Sequence, residues 1–99
     1  MVQKIVWSPL AAQTYISNIE YLQKEWTQKE IEKFTAATER KLNLLKLQPD
    51  IGVITHKRNH VRKTPIVKRI LLIYRYKKRK GEIELLRFFN TWQNPKKMT

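Results

Sequence analysis

The sequence predicts an α+β fold: a β-strand, an antiparallel two-helix hairpin and then an antiparallel sheet, all within one domain at 1–99. Three observations predict it. A short alternating segment opens the chain, two amphipathic stretches of helical period follow almost without a loop, and the second half is rich in β-branched and aromatic residues. Elements in this order pack as one sheet with the helical hairpin on one of its faces.

Local signals define the first strand and the first helix. "VQKIVW" (2–7) alternates as a strand does, Ser8 is suited to cap a helix, and Pro9 fits its first turn. The apolar stripe of this helix is predicted to run through Ala12, Ile16, Ile19, either Leu22 or Gln23, and Trp26.

The second helix follows directly. "TQKE" (27–30) has the form of a capping box, in which Thr27 is the N-cap and Glu30 reaches back to it. Its apolar stripe is predicted at Ile31, Phe34, Thr38, Leu42 and Leu45. Two helices with almost no connecting loop fold back as an antiparallel hairpin.

The second half is predicted to form the sheet. "QPDIG" (48–52) ends the helices, "IVKRILLIYRYKK" (66–78) reads as one long strand, and "IELLRFF" (83–89) returns beside it after the turn "KRKGE". Residues 61–63 indicate a short further strand. With an even-residue turn, one face holds Leu72, Tyr74, Tyr76, Leu85, Arg87 and Phe89, and the other holds Val67, Arg69, Leu71, Ile73, Arg75, Leu86 and Phe88. Because the helices cover only one face, an apolar face is left open or meets a partner.

Charge divides the chain into two unequal halves. The sequence carries +13 in total, of which residues 1–50 contribute +1 and residues 51–99 contribute +12. Such an asymmetry favours a polyanionic or acidic partner for the second half.

Several function classes are disfavoured by the composition. No apolar run is long enough to span a membrane, the N-terminus lacks the apolar stretch of a signal peptide, and there is no cysteine, so we expect a cytoplasmic protein. His56 and His60 stand in a Lys-Arg setting that repels cations, and glycine motifs for phosphate are absent. We therefore expect no metal and no cofactor.

Cationic side chains remain as the candidate chemistry. Guanidinium groups clamp phosphates or stabilise the charge of a phosphoryl transition state, and a tyrosine serves as acid or base only with a shifted pKa. The weak catalytic candidates are Arg62, Tyr74 and Arg87. The candidates for binding a target or a protein partner are Lys57, Arg58, Arg62, Lys63, Arg69, Arg75, Arg87 and Trp92.

The chain resembles the RelE/ParE toxins of bacterial toxin–antitoxin modules, and more closely the ParE-like members. The resemblance rests on "IVWSPLAAQTYISNIEYL", "LQPDIG", "VRKTPIVKRILLIYRY" and "IELLRFFNTWQNPKK" in this order. It implies the toxin of a type II module, which inhibits growth, serves plasmid stabilization and is held by a cognate antitoxin in a higher-order complex.

Two mechanisms occur in that family, and the resemblance favours one. RelE-like members cleave mRNA on the ribosome, whereas ParE-like members bind DNA gyrase and are not nucleases. Where the nucleases have an arginine three residues before the strand tyrosine, this chain has Leu71; where many read R-Q-N-P, it has Trp92. Arg62 matches the basic position that opens the middle strand. We therefore expect a binding, gyrase-type toxin; the alternatives are a metal-independent, ribosome-dependent endoribonuclease and a basic nucleic-acid-binding module without toxicity.

Overall fold

Two helices and five strands make up the part of the chain that the structure describes, residues 2, 4–56 and 58–91 of a computed structural model. In chain order they are β1 (Lys4–Trp7), α1 (Pro9–Glu25), α2 (Gln28–Leu47), β2 (Val53–His56), β3 (Val61–Val67), β4 (Ile70–Lys77) and β5 (Glu82–Asn90). A single 3₁₀ turn, Lys78–Lys80, connects the last two strands.

The strands form one sheet in the order β1-β5-β4-β3-β2. Strand β1 lies parallel to β5, and every other pair is antiparallel, so the sheet is mixed. Both helices pack on one face, which we call the inner face; the opposite face is called the outer face. The predicted α+β fold is confirmed.

Helix α1 buries only part of the predicted stripe: Leu22 is buried and Ile19 packs against the core as predicted, but the first half of the stripe and Trp26 differ. Ala12 and Ile16 are exposed, whereas Ala11 is fully buried. In the first half of the helix the stripe is shifted by one residue because Tyr15 turns its ring inward, 5.1 Å from the ring of Phe88. A large aromatic ring buries much apolar area, so this orientation is favoured over the one that would bury Ala12 and Ile16.

Helix α2 buries the stripe that the sequence predicts. Its buried residues are Ile31, Phe34, Thr38 and Leu45, and Leu42 packs against the same core. The capping box is not formed as predicted. Thr27 is the N-cap, but its side chain makes no capping bond, and the helix starts with the backbone bond from Glu30 N–H to the Thr27 carbonyl (3.0 Å).

The predicted long strand over 66–78 is wrong, because a turn at Lys68 and Arg69 divides it into β3 and β4. Val67 faces Ile70 across this tight turn, and the division lets both Ile66 and Ile70 enter the core. The short strand expected at 61–63 is the start of β3. Strand β2 was not predicted; all four of its residues are exposed at the edge of the sheet.

Strand β5 contains a bulge that changes which residues share a face. Ile73 pairs with Arg87 and Tyr74 pairs with Leu85, so Leu86 has no partner on β4. Beyond the bulge the parity of β5 is reversed. The predicted faces are therefore wrong there: Phe88 joins Leu72 on the inner face, while Arg87 and Phe89 lie on the outer face.

Polar side chains of α1 stabilise this bulge, where β1 has ended and no longer pairs with β5. Ser8 Oγ, which also caps α1 by accepting from Ala11 N–H, donates to the Leu86 carbonyl (3.1 Å). Phe88 N–H donates to Thr14 Oγ1 (2.8 Å), and Asn18 Nδ2 donates to the Phe88 carbonyl (3.2 Å). These bonds satisfy backbone groups that would otherwise be buried without partners.

Candidate functional site

The turn after α2 is built around the side chain of Tyr74. This tyrosine is fully buried, and its hydroxyl donates to the Pro49 carbonyl (2.8 Å) while accepting from Gly52 N–H (3.0 Å). One side chain on β4 therefore holds both ends of the turn that leads from α2 to β2.

Gly52 is required at this turn by close approach rather than by its backbone angles. A Cβ atom at this position would lie 2.6 Å from Tyr74 Oη and 2.9 Å from the Lys63 carbonyl oxygen. The sequence indicated a turn here but gave no sign that Gly52 contacts Tyr74, because the two are distant in the chain.

Arg62 on β3 completes the same arrangement. Its Nη1 atom donates to the carbonyl oxygens of Asp50 (2.9 Å) and Gly52 (2.8 Å). The charge of the guanidinium is thus directed at backbone carbonyls of the turn, which accept strong, charge-assisted bonds. In this arrangement Arg62 stabilises the turn.

The environment of Tyr74 keeps its hydroxyl neutral. Burial raises the pKa of Tyr74 above the 10.0 of a free tyrosine, and nearby Asp50 adds to the rise, although the Gly52 N–H bond and the charge of Arg62 oppose it. A general acid or base works best when its pKa lies near the working pH. The Tyr74 hydroxyl is therefore placed for structure and is poorly suited to proton transfer.

Beside this turn lies a cleft of about 390 Å³. It is lined by Leu47, Pro49, Asp50, His60, Arg62, Tyr76 and Lys78. Two cations, an imidazole and a phenol share this space with the single carboxylate of Asp50, so its lining is positive on balance and suits a negatively charged group. Of the three catalytic candidates, this cleft includes Arg62 alone.

The outer face carries the other two arginines of the central strands. Arg75 Nη1 lies 3.5 Å from Glu84 Oε1, so this cation is paired. The Arg87 guanidinium carbon lies 5.1 Å from the centre of the Phe89 ring, within the range of a cation–π contact. Because Arg87 lies on the outer face, the sheet separates it from Arg62 and Tyr74, and the three candidates do not converge.

The remaining candidates lie at separate places. Arg58 is exposed in the turn between β2 and β3, and Lys63 lies on the outer face opposite Ile73. Arg69 is exposed in the β3–β4 turn and lines a second cleft of about 390 Å³ together with Trp26. Lys57 and Trp92 lie outside the described residues.

The described residues offer neither a cluster of metal ligands nor a membrane-spanning helix. No group of three or more His, Cys, Asp or Glu residues stands close enough together to hold a metal ion there. Likewise, no helix in the described part of the chain is long and apolar enough to cross a membrane.

Comparison with known proteins agrees with the fold. Over residues 5–95 the chain matches the family model described as the ParE toxin of the type II toxin–antitoxin system, parDE. A search of curated proteins finds no match. The match spans nearly the whole sequence and confirms the resemblance drawn from the motifs. The chain therefore belongs to the ParE toxin family of type II toxin–antitoxin systems.

Proposed function

We propose that this ParE family member is a cytoplasmic toxin that inhibits growth by binding a large target of the DNA gyrase type, without cutting nucleic acid. A cognate antitoxin neutralises it, and the two assemble into a higher-order complex that serves plasmid stabilization. The family supplies the toxin–antitoxin module. The target and the absence of cleavage are the parts that we propose.

One observation carries the choice of binding over cleavage: the catalytic candidates lie on opposite faces of the sheet. Metal-free cleavage of RNA needs an acid, a base and a cation around one phosphate. Here the buried Tyr74 hydroxyl is already engaged both as donor and as acceptor, and Arg62 is bonded to two backbone carbonyls. Arg87, on the outer face, has no route to the same phosphate.

A supercoiling assay tests the proposal. Purified toxin is titrated into gyrase with relaxed plasmid, and we expect a dose-dependent loss of supercoiling that the antitoxin reverses. Tyr74→Phe is the informative variant, because it deletes the phenol but leaves every exposed group in place. At a temperature where circular dichroism shows the variant folded, it should inhibit gyrase as the wild type does. Full supercoiling at every dose of wild-type toxin would contradict the proposal.

The endoribonuclease remains the second candidate, because the cleft beside Arg62 gathers His60, Tyr76 and Lys78. Toeprinting of mRNA on ribosomes separates the two functions. Cleavages in the ribosomal A site that appear with wild-type toxin, and weaken when Arg62 or His60 is replaced, would establish the nuclease. Uncut mRNA at toxin doses that stop gyrase is the result that we expect.

A further inference from the structure

Two basic segments meet at one end of the sheet. Strand β3 begins and β4 ends there, and Tyr76 N–H donates to the His60 carbonyl (3.3 Å), which holds the β2–β3 turn against the end of β4. The 3₁₀ turn Lys78–Lys80 follows at once. We call the side chains gathered at this place the basic end: Arg58, His60, Lys78, Arg79 and Lys80.

The two acids of β5 are already paired with other cations, whereas a third acid, Asp50, lines a cleft with His60 and Lys78 and forms no salt bridge among the described residues. Glu82 binds Lys77 (3.4 Å) and Lys4 (4.0 Å), and Glu84 binds Lys77 and Arg75, each at 3.5 Å. Within the described residues, no salt bridge involves a member of the basic end. Its four permanent cations therefore present a concentrated positive potential to the solvent.

The shape and composition of this surface distinguish nucleic acid from an acidic protein. A cleft of about 630 Å³ is lined by His60, Tyr76 and Lys77–Lys80. None of the large apolar side chains that are exposed in the described part of the chain belongs to 58–60 or 76–81, and the exposed Leu47 lines the neighbouring cleft beside Arg62 rather than this one. Protein interfaces have an apolar core, whereas nucleic-acid interfaces are polar and strongly basic. An aromatic ring among cations also offers a surface on which a base or sugar can pack.

We infer that the basic end binds the sugar–phosphate backbone of nucleic acid. Lysines and arginines of the 3₁₀ turn contact successive phosphates, while the cleft beside Tyr76 accommodates a sugar or a base. This activity goes beyond the proposed inhibition of gyrase, which requires no such contact. It is tested without gyrase or ribosomes, so its failure leaves the proposed function untouched, and the reverse also holds.

Fluorescence anisotropy with labelled oligonucleotides measures the binding. Wild-type toxin is titrated into duplex DNA, single-stranded DNA and single-stranded RNA over a series of NaCl concentrations. If three or four cations meet phosphates, the logarithm of the affinity should fall with the logarithm of salt concentration with a slope of about −2 to −4. Comparing the three probes identifies which form is preferred.

A matched pair of triple variants locates the contact. K78Q/R79Q/K80Q removes two lysines and one arginine from the basic end, and K33Q/R40Q/K46Q removes the same residue types from exposed positions of α2. We expect the first variant to lose about tenfold or more in affinity at low salt and most of the salt slope, and the second to lose less than about threefold. Circular dichroism verifies that both are folded.

Several results would overturn the inference. They are no binding of any probe at low salt, equal losses in the two variants, or a wild-type slope near zero. Poly-glutamate serves as the competing polyanion. If it bound as tightly as the oligonucleotides, with the same loss in K78Q/R79Q/K80Q, the surface would belong to an acidic protein instead.

Discussion

The hydroxyl of Tyr74 bonds both ends of the turn that follows α2, and Gly52 leaves the space in which it does so. The two residues share one space, because the phenol of Tyr74 fills the volume that any Cβ at position 52 would occupy. Because the space is shared, substitutions at the two positions should not act independently.

We predict that Gly52→Ala destabilises the protein by about 1–3 kcal/mol, since the new Cβ overlaps buried atoms. Tyr74→Phe should cost about 1–3 kcal/mol, because Gly52 N–H and the Pro49 carbonyl lose their partner. In the double variant Gly52→Ala should cost less than it does alone, because the nearest atom in conflict, Tyr74 Oη at 2.6 Å, is gone. Urea unfolding of the wild type, the two single variants and the double variant measures this double-mutant cycle. Equal costs in both backgrounds would contradict the shared space.

Tyr74 should also make stability depend on alkaline pH. Burial raises its pKa in the folded protein above the 10.0 of a free tyrosine. The unfolded chain then loses the proton first, so the stabilisation is complete below pH 10.0 and is lost as the pH rises through the folded-state pKa. The unfolding free energy of the wild type should therefore fall as the pH rises above 10.0, and the unfolding free energy of Tyr74→Phe should fall less steeply. Urea unfolding across this range compares the two, and identical slopes would exclude Tyr74 as the group responsible.

At the scale of elements, helix α1 and the bulge of β5 depend on each other. Thr14 is the acceptor for Phe88 N–H, next to the unpaired Leu86. The bulge is what moves Phe88 inward and Arg87 outward. A threonine on α1 thus helps determine which face of the sheet carries a cation.

We predict that Thr14→Val destabilises the protein by about 1–3 kcal/mol, because an isosteric side chain leaves Phe88 N–H buried and unbonded. Thr35→Val is the control: Thr35 Oγ1 bonds only the Glu32 carbonyl of its own helix, and its replacement should change stability by less than about 0.5 kcal/mol. Hydrogen exchange adds a local measurement, in which the Phe88 amide of Thr14→Val should exchange faster. Unchanged exchange at Phe88 would show that the hydroxyl does not hold the bulge.

The elements that the sequence predicts correctly are those set by nearby residues. Ser8 caps α1 because it stands three residues before the N–H that it accepts, and the stripe of α2 follows the helical period. The bulge depends instead on a bond between Thr14 and Phe88, 74 positions apart, which no local pattern carries. The turn at Lys68 and Arg69 lacks glycine, proline and asparagine, so its residues favour neither a turn nor an end to the strand.

The same distinction applies to the candidate site. Basic residues could be identified from the sequence as candidates, because their charge is independent of the fold. Their partners could not be identified: Arg62 bonds two backbone carbonyls, which have no signature in the sequence, and Arg87 changed faces through the bulge. The run at 78–80 could be predicted only as part of the turn "KRKGE", and it is the structure that brings His60 and Tyr76 beside it.

At the scale of the whole molecule, the boundary between the helical half and the sheet-forming half of the chain is also the boundary between nearly neutral and strongly basic sequence. The half that contains β1 and the helices carries +1, and the half that contains the other four strands carries +12 with only Glu82 and Glu84 as acids. Both acids lie on β5 and bind Lys4, Arg75 and Lys77. The excess charge of the basic end therefore repels itself in the folded protein, and a polyanionic partner would relieve that repulsion.

This repulsion predicts that the basic end lowers stability. Two unit charges about 10 Å apart in water repel by about 0.4 kcal/mol, and each cation at 78–80 has several like neighbours. At about 20 mM NaCl, K78Q/R79Q/K80Q should therefore melt about 2–5 °C above the wild type. At about 500 mM NaCl the difference should nearly vanish, because the Debye length shrinks to a few ångströms. Melting curves followed by circular dichroism give both values.

The variant on α2 separates repulsion from a general effect of losing three cations. K33Q/R40Q/K46Q removes the same charge from a helix that also carries Glu30, Glu32 and Glu39, so it loses attraction as well as repulsion and should show no rise in Tm. A rise of equal size in the two variants would mean that net charge alone acts. A rise in K78Q/R79Q/K80Q that persisted at high salt would point to the backbone of the 3₁₀ turn. The expected pattern, a gain confined to the basic end and to low salt, would mean that these cations lower the stability of the fold, as expected of groups kept for binding a polyanion.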